Sequence, residues 1–173
     1  MIQSDIKKIV EDLIETFLNA GKISLDLRKK GLTKEIKSDN TPVSNGDLEV
    51  NKILTKKISE LTPNIPIVSE ETSENKSRDN LENFWLIDPI DGTYDYINNL
   101  DEFTINAGLI IQKKPAAGLI YAPAKNRMFY SYGDNLSYEL IDGKPIKLNH
   151  SKNFDKNEIN FLSYSNKIKP EIN

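Results

Sequence analysis

The sequence contains no cysteine. A disulfide scaffold, a thiolate zinc site and a cysteine nucleophile are therefore excluded. Histidine occurs once, at His150, so no histidine-rich metal cluster can form, and His150 reads as a surface residue near a strand end. Any metal site has to be built from oxygen ligands, which suits Mg2+, Mn2+ or Ca2+. No apolar run approaches the ~20 residues of a membrane span. The opening "MIQSDIKKIVEDLIETFL" holds acids and an amphipathic repeat, unlike a signal peptide, and the expected location is the cytoplasm. Positive charge is not in excess: 23 Lys+Arg against 26 Asp+Glu leave a net charge of −3, which gives no sequence-wide footprint for a nucleic-acid polymer.

What is present fits one soluble domain with a real core: 173 residues, 38% apolar and 28% charged. Ile6, Ile9, Val10, Leu13, Ile14, Phe17 and Leu18 recur at helical spacing, with Ser4 or Asp5 as a cap, and the pattern fades after about Arg28. The polar stretch "KKGLTKEIKSDNTPVSNG" reads as a long loop. A second helix is expected from Ser44 to Leu61. Short apolar strands follow at Ile65–Ser69, ending in Glu70 and Glu71, and at "FWLI", ending at Asp88. Phe84 and Trp85 read as core. Beyond a short helix over Tyr94–Asn99, "FTINAGLIIQ", "AAGLIYAPAKNRMFYSY" and the Asp-Gly hairpin in "LSYELIDGKPIKL" suggest an antiparallel meander. One further strand is expected at Ile159–Ser163. Helices first and a meander later imply an α+β layered domain.

The stretch "WLIDPIDGTYDYINN" concentrates the chemistry. If the strands ending at Glu70 and Asp88 are neighbours, the carboxylates of Glu70, Asp88 and Asp91 lie roughly 5–10 Å apart, given the strand spacing. Carboxylates that close raise one another's pKa, and a hard divalent cation such as Mg2+ relieves the repulsion. Pro89 stiffens the link and leaves the Ile90 carbonyl to turn toward metal as a neutral ligand. Gly92 permits close approach of backbone to substrate. Free N–H groups at Gly92 and Thr93 could receive a phosphate, with the Thr93 hydroxyl placed to polarise a water. Asp47 has a structural alternative, because Ser44-x-x-Asp47 matches a helix capping box. Asp95, Asp101 and Glu102 read as surface acids.

"VSEE" followed by "WLIDPIDGTYDYINN" resembles the lithium-sensitive, magnesium-dependent phosphomonoesterases of the inositol monophosphatase superfamily. "KSDNTPVSNGDLEVNKIL" looks like that family's mobile loop and second helix. "DEFTINAGLIIQKKPAAGLIYAPAKNRMFYS" looks like its bacterial bisphosphate nucleotidase (CysQ) branch. The resemblance covers about residues 5–165 of a domain expected to occupy 1–173. It implies the N-terminal part of a sugar-phosphatase-type α/β sandwich, with two helices packed on a mainly antiparallel sheet. It further implies a phosphoric monoester hydrolase that removes the 3′-phosphate of adenosine 3′,5′-bisphosphate, a by-product of sulfate activation. Inositol monophosphatase activity is the alternative. By motif, Glu70 would bridge metals and help activate water; Asp88, the Ile90 carbonyl and Asp91 would be metal ligands. Asp91, Gly92 and Thr93 would hold the phosphate, and Asp47 would work beside Thr93. Two or three Mg2+ ions are implied, with Mn2+ as a substitute and Li+ as an inhibitor.

The chain departs from the family in two ways. "SNGD" around Asp47 replaces the usual Thr-x-x-Asp, and Gly46 lowers helix propensity, so this helix end is expected to be looser. The family's second α/β layer, with its Trp-Asp motif, has no counterpart, since Trp85 is the only tryptophan. A truncated, inactive or split-gene remnant that binds only metal or a partner is therefore the non-enzymatic alternative. A homodimer, a separate C-terminal half and peripheral attachment to the inner face of the membrane are left open.

Overall fold

The computed structural model describes residues 3–36, 42–72 and 81–149. The N-terminal stripe forms helix α1 (Gln3–Lys30), which buries Ile6, Val10, Leu13, Phe17 and Ala20. Arg28, Lys29 and Lys30 close its last turn. Cations there oppose the negative end of the helix dipole, so the helix outlasts its apolar pattern. Helix α2 (Asn45–Leu61) buries Val50, Leu54 and Ile58 and packs beside α1.

The stretch expected to be a loop contains a two-stranded antiparallel ribbon, β1 (Lys34–Ile36) with β2 (Pro42–Ser44). Its base is clamped twice: Asn45 N–H donates to Thr33 O, and Thr33 N–H donates to Asn45 Oδ1, both at 3.1 Å. Only Val43 and Ser44 of the ribbon are buried, which is why apolar patterning does not reveal it.

Among the described residues the main sheet has seven strands in sequence order: β3 (Ile67–Ser69), β4 (Phe84–Asp91), β5 (Thr104–Ile111), β6 (Lys114–Ala122), β7 (Arg127–Ser131), β8 (Ser137–Ile141) and β9 (Lys144–Lys147). Only β3 and β4 are parallel; every later pair is antiparallel. The fold is thus α+β with a mainly antiparallel sheet. The hairpin between β8 and β9 turns at Asp142 and Gly143, both at positive φ, as an Asp-Gly turn requires.

Alternation along the strands divides the sheet. Trp85, Ile87, Ile105, Leu109, Leu119 and Met128 join the helices in one core. Trp85 is fully buried, and its Nε1–H donates to Thr62 Oγ1 at 3.0 Å. Phe84 is only half-buried, because it alternates onto the other side with Leu86. On that side Leu86 is 53% and Ile120 49% exposed. They border a trough of about 540 Å3 whose lining includes Gly108, Gly118 and Phe129 and reaches Asp88 and Asn106. No described element covers this face.

Two other expectations shift. β4 does not stop at Asp88 but continues through Pro89 to Asp91, and the short helix α3 spans Thr93–Ile97 rather than Tyr94–Asn99. The expected strand at Ile159–Ser163, and His150, lie outside the described residues.

Candidate active site

Strand β4 delivers most of the site. Ser69 pairs with Ile87 in the parallel β3–β4 ladder, and the Glu70 N–H donates to Ile87 O at 3.1 Å. Glu70 therefore emerges next to Asp88, as neighbouring strand ends require. Past Asp88 the register with β5 shifts before Asp91 pairs with Thr104. Pro89, which has no N–H to give a ladder, sits in that irregularity. Ile90 turns into the core while Asp91 is exposed.

Gly92 then takes φ 90° and begins α3. A Cβ at Gly92 would lie 2.7 Å from Glu102 O, so this turn needs glycine both for its backbone angle and for its space.

Asp47 carries both of its anticipated roles on separate oxygens. Its Oδ2 accepts from Ser44 N–H at 2.8 Å and from Ser44 Oγ at 2.6 Å, while Ser44 Oγ accepts from Gly46 N–H at 3.1 Å; the capping box is complete. Its Oδ1 accepts from Thr93 Oγ1 at 3.1 Å, and Thr93 Oγ1 also lies 2.9 Å from Ile90 O. Gly46, expected to loosen this end, is instead a packing requirement. A Cβ there would collide with the hydroxyl of Tyr96, which is fully buried and donates to Ser24 O at 2.7 Å.

Asp88 is the electrostatic centre. Burial first, then the charges of Glu70 and Asp91, push its carboxyl up from the usual 3.8 to about 7. A hydrogen bond to the Glu70 side chain and the charge of Asp47 act in the same direction. Asp88 Oδ1 is buried with no hydrogen-bond partner among the described residues. A cation bound here would offset the repulsion that raises this carboxyl. The donors at hand are all oxygens: the carboxylates of Glu70, Asp88 and Asp91, and the Ile90 carbonyl. This donor set fits a hard divalent cation such as Mg2+. Among the described residues, no three acidic or histidine side chains already stand as a closed ligand group.

The surrounding acids differ from expectation in one case. Asp101 pairs with Arg28 at 3.0 Å and Glu102 with Lys125 at 2.7 Å, both at the surface. Asp95, in contrast, is buried, being only 5% exposed. A five-residue helix is too short for a sequence pattern to show which side faces inward.

The sequence model of the inositol monophosphatase family matches residues 5–171. The chain belongs to the inositol monophosphatase family. A curated relative, "3′(2′),5′-bisphosphate nucleotidase CysQ" of Aggregatibacter actinomycetemcomitans, is 36% identical over 142 residues, covering 81% of this chain and 53% of the relative. Among solved structures, an IMPase of Thermotoga maritima superposes with a TM-score of 0.68 at 23% identity, covering 83% of this chain and 54% of that one. An IMPase/NADP phosphatase complexed with Mg2+ and phosphate superposes at 0.66 and 18% identity, with 79% and 51% covered. Both share the family's α/β fold. The chain spans about half the length of the family members it matches.

Two residues beside the candidate site carry little or no signal in the sequence. Asn106 donates from Nδ2 to Asp91 Oδ2 at 3.2 Å. Its signal was a polar residue breaking the apolar run "FTINAGLI" at a strand position that pairs with Asp88. Tyr96, which shapes the approach of α2 to α3, left no such signal.

Proposed function

We propose that this chain carries the metal-dependent hydrolytic centre of a phosphomonoesterase, with adenosine 3′,5′-bisphosphate as substrate and AMP and phosphate as products. The observation that carries the proposal is the junction of two devices at one strand end. One is the Glu70–Asp88–Asp91 carboxylate cluster; the other is the Thr93 hydroxyl bound to Asp47. The 36% identity to a protein named 3′(2′),5′-bisphosphate nucleotidase supports the choice of substrate.

Glu70, Asp88, Asp91 and the Ile90 carbonyl would hold Mg2+, as two or three ions replaceable by Mn2+; bound there, Mg2+ acidifies water and offsets negative charge on the phosphoryl oxygens. Inhibition by Li+ belongs to the same proposal.

The chain's own residues orient the reaction. Thr93 has one hydroxyl proton and two acceptors within reach, Asp47 Oδ1 and Ile90 O. Donation to Asp47 leaves the Oγ1 lone pairs free to accept from the attacking water. Ser44 locks the far side of Asp47, so the relay has a fixed origin. Glu70 takes the proton from the water, whose oxygen bonds to phosphorus as the P–O ester bond breaks, and the departing 3′-oxygen takes a proton from solvent water. Backbone N–H groups at Gly92 and Thr93 receive phosphoryl oxygens, and the left-handed turn at Gly92 brings the main chain close to them.

A metal- or partner-binding chain without turnover is the second proposal. The sheet face that no described element covers favours it. A second polypeptide, either another copy or a C-terminal half, would then complete the centre. Phosphate release from adenosine 3′,5′-bisphosphate and from inositol 1-phosphate, each with Mg2+, decides. Faster release from the nucleotide supports the first proposal. Faster release from the inositol ester replaces the substrate, and Mg2+ binding without release supports the second proposal.

A further inference from the structure

Asn106 on β5 lies directly across from Asp88 on β4. Cβ atoms at such positions stand about 4.5–5.5 Å apart, and both side chains line the trough on the side of the sheet that no described element covers. Asn106 Nδ2 donates to Asp91 Oδ2 at 3.2 Å. That contact fixes the amide, because a carboxylate accepts hydrogen bonds and offers none when ionised. The carbonyl end is thereby turned away from Asp91. Asn106 Oδ1 is buried with no hydrogen-bond partner among the described residues, and so is Asp88 Oδ1. One neutral side chain thus touches one acid of the cluster and opposes another. A carboxylate in its place would add a further like charge, and an alkyl group would leave Asp91 without this donor.

We propose that Asn106 is a positioning residue of the carboxylate site: its amide N–H holds Asp91 Oδ2 so that Asp91 presents its other oxygen, beside Asp88, to a divalent cation. The inference rests on the proposal that Asp88 and Asp91 hold that cation. It adds a residue from a different strand, β5, which contributes through Asp91 rather than as a ligand. Partners that orient ligating carboxylates typically carry 10–100-fold in metal affinity.

The test is a Mn2+ titration of the full chain, with free Mn2+ read by electron paramagnetic resonance, at one fixed pH. The unaltered protein is compared with Asn106→Leu and Asn106→Asp. Thermal melts in EDTA check folding. Both variants are expected to bind Mn2+ about 10–100-fold more weakly. A purely structural role would lower the melting temperature and leave the affinity of the folded protein unchanged. Asn106→Asp is isosteric and carries the decision if the leucine variant does not fold. Unchanged affinity in the folded variants, or tighter binding by Asn106→Asp, overturns the inference while the cation site stands. Absence of Mn2+ binding by the unaltered chain overturns both.

Discussion

Thr93 hydrogen-bonds Asp47 across the junction of α2 and α3, Oγ1 to Oδ1 at 3.1 Å. The bond joins residues 46 positions apart in the chain. One side of it is a helix cap and the other opens the turn after the acidic strand. Asp47 is therefore at once a structural residue and a candidate member of the site, and the two roles separate by oxygen atom.

Thr93→Val keeps the shape of the side chain and removes the hydroxyl. Loss of a positioned proton acceptor for water should lower kcat by about 10²–10⁴-fold, with a stability loss of only about 1 kcal/mol. Thr93→Ser should retain most of the activity. Steady-state kinetics and urea denaturation of the two variants make the comparison.

Asp47→Asn leaves one oxygen to meet the donors now satisfied by two. Ser44 or Thr93 must then face an amide N–H. A stability loss of about 1–2 kcal/mol is expected from the damaged cap, together with a fall in kcat. Equilibrium urea melts of parent and variant measure the first effect.

The raised carboxyl of Asp88 makes the metal-free protein pH-sensitive. Below pH 3.8 this group is protonated in both folded and unfolded chains and costs nothing. As pH rises from 3.8 to about 7, the unfolded chain releases the proton while the folded chain retains it. Stability is lost progressively over that window and the loss is complete above it. Melting temperatures in EDTA should therefore fall from pH 5 to pH 8, and Asp88→Asn should flatten the fall. Added Mg2+ should raise the melting temperature more at pH 8 than at pH 5.

Gly46→Ala separates helix propensity from packing. Propensity alone predicts a gain of about 1 kcal/mol. The buried Tyr96 hydroxyl, tied to Ser24 O, instead predicts a loss of about 1–3 kcal/mol from overpacking. Chemical denaturation reads the sign.

The helices and the meander were legible in the sequence because their patterns are long. The stripe from Ile6 to Leu18 and the alternation in "FTINAGLI" each commit many residues to one face. The β1–β2 ribbon was not legible, since it is held by hydrogen bonds at its base rather than by apolar burial. The extent of β4 was obscured by Pro89, which reads as an end but occupies a register shift. In the candidate site, Glu70, Asp88, Asp91 and Thr93 announced themselves as candidates, being strand-end acids and a Gly-Thr turn. Asn106 and Tyr96 did not, because their importance lies in what stands opposite them after folding: Asp88 and Asp91 for one, Gly46 for the other. Asp95 was misplaced because the five-residue helix α3 is too short for a pattern to show its inward side.

The most direct test of the account is phosphate release from adenosine 3′,5′-bisphosphate by the purified chain, in Mg2+, in EDTA and with Asp91→Asn in Mg2+. The account predicts release in Mg2+ alone, abolished by EDTA and by the substitution. No release in Mg2+, or release that survives both EDTA and Asp91→Asn, would contradict it.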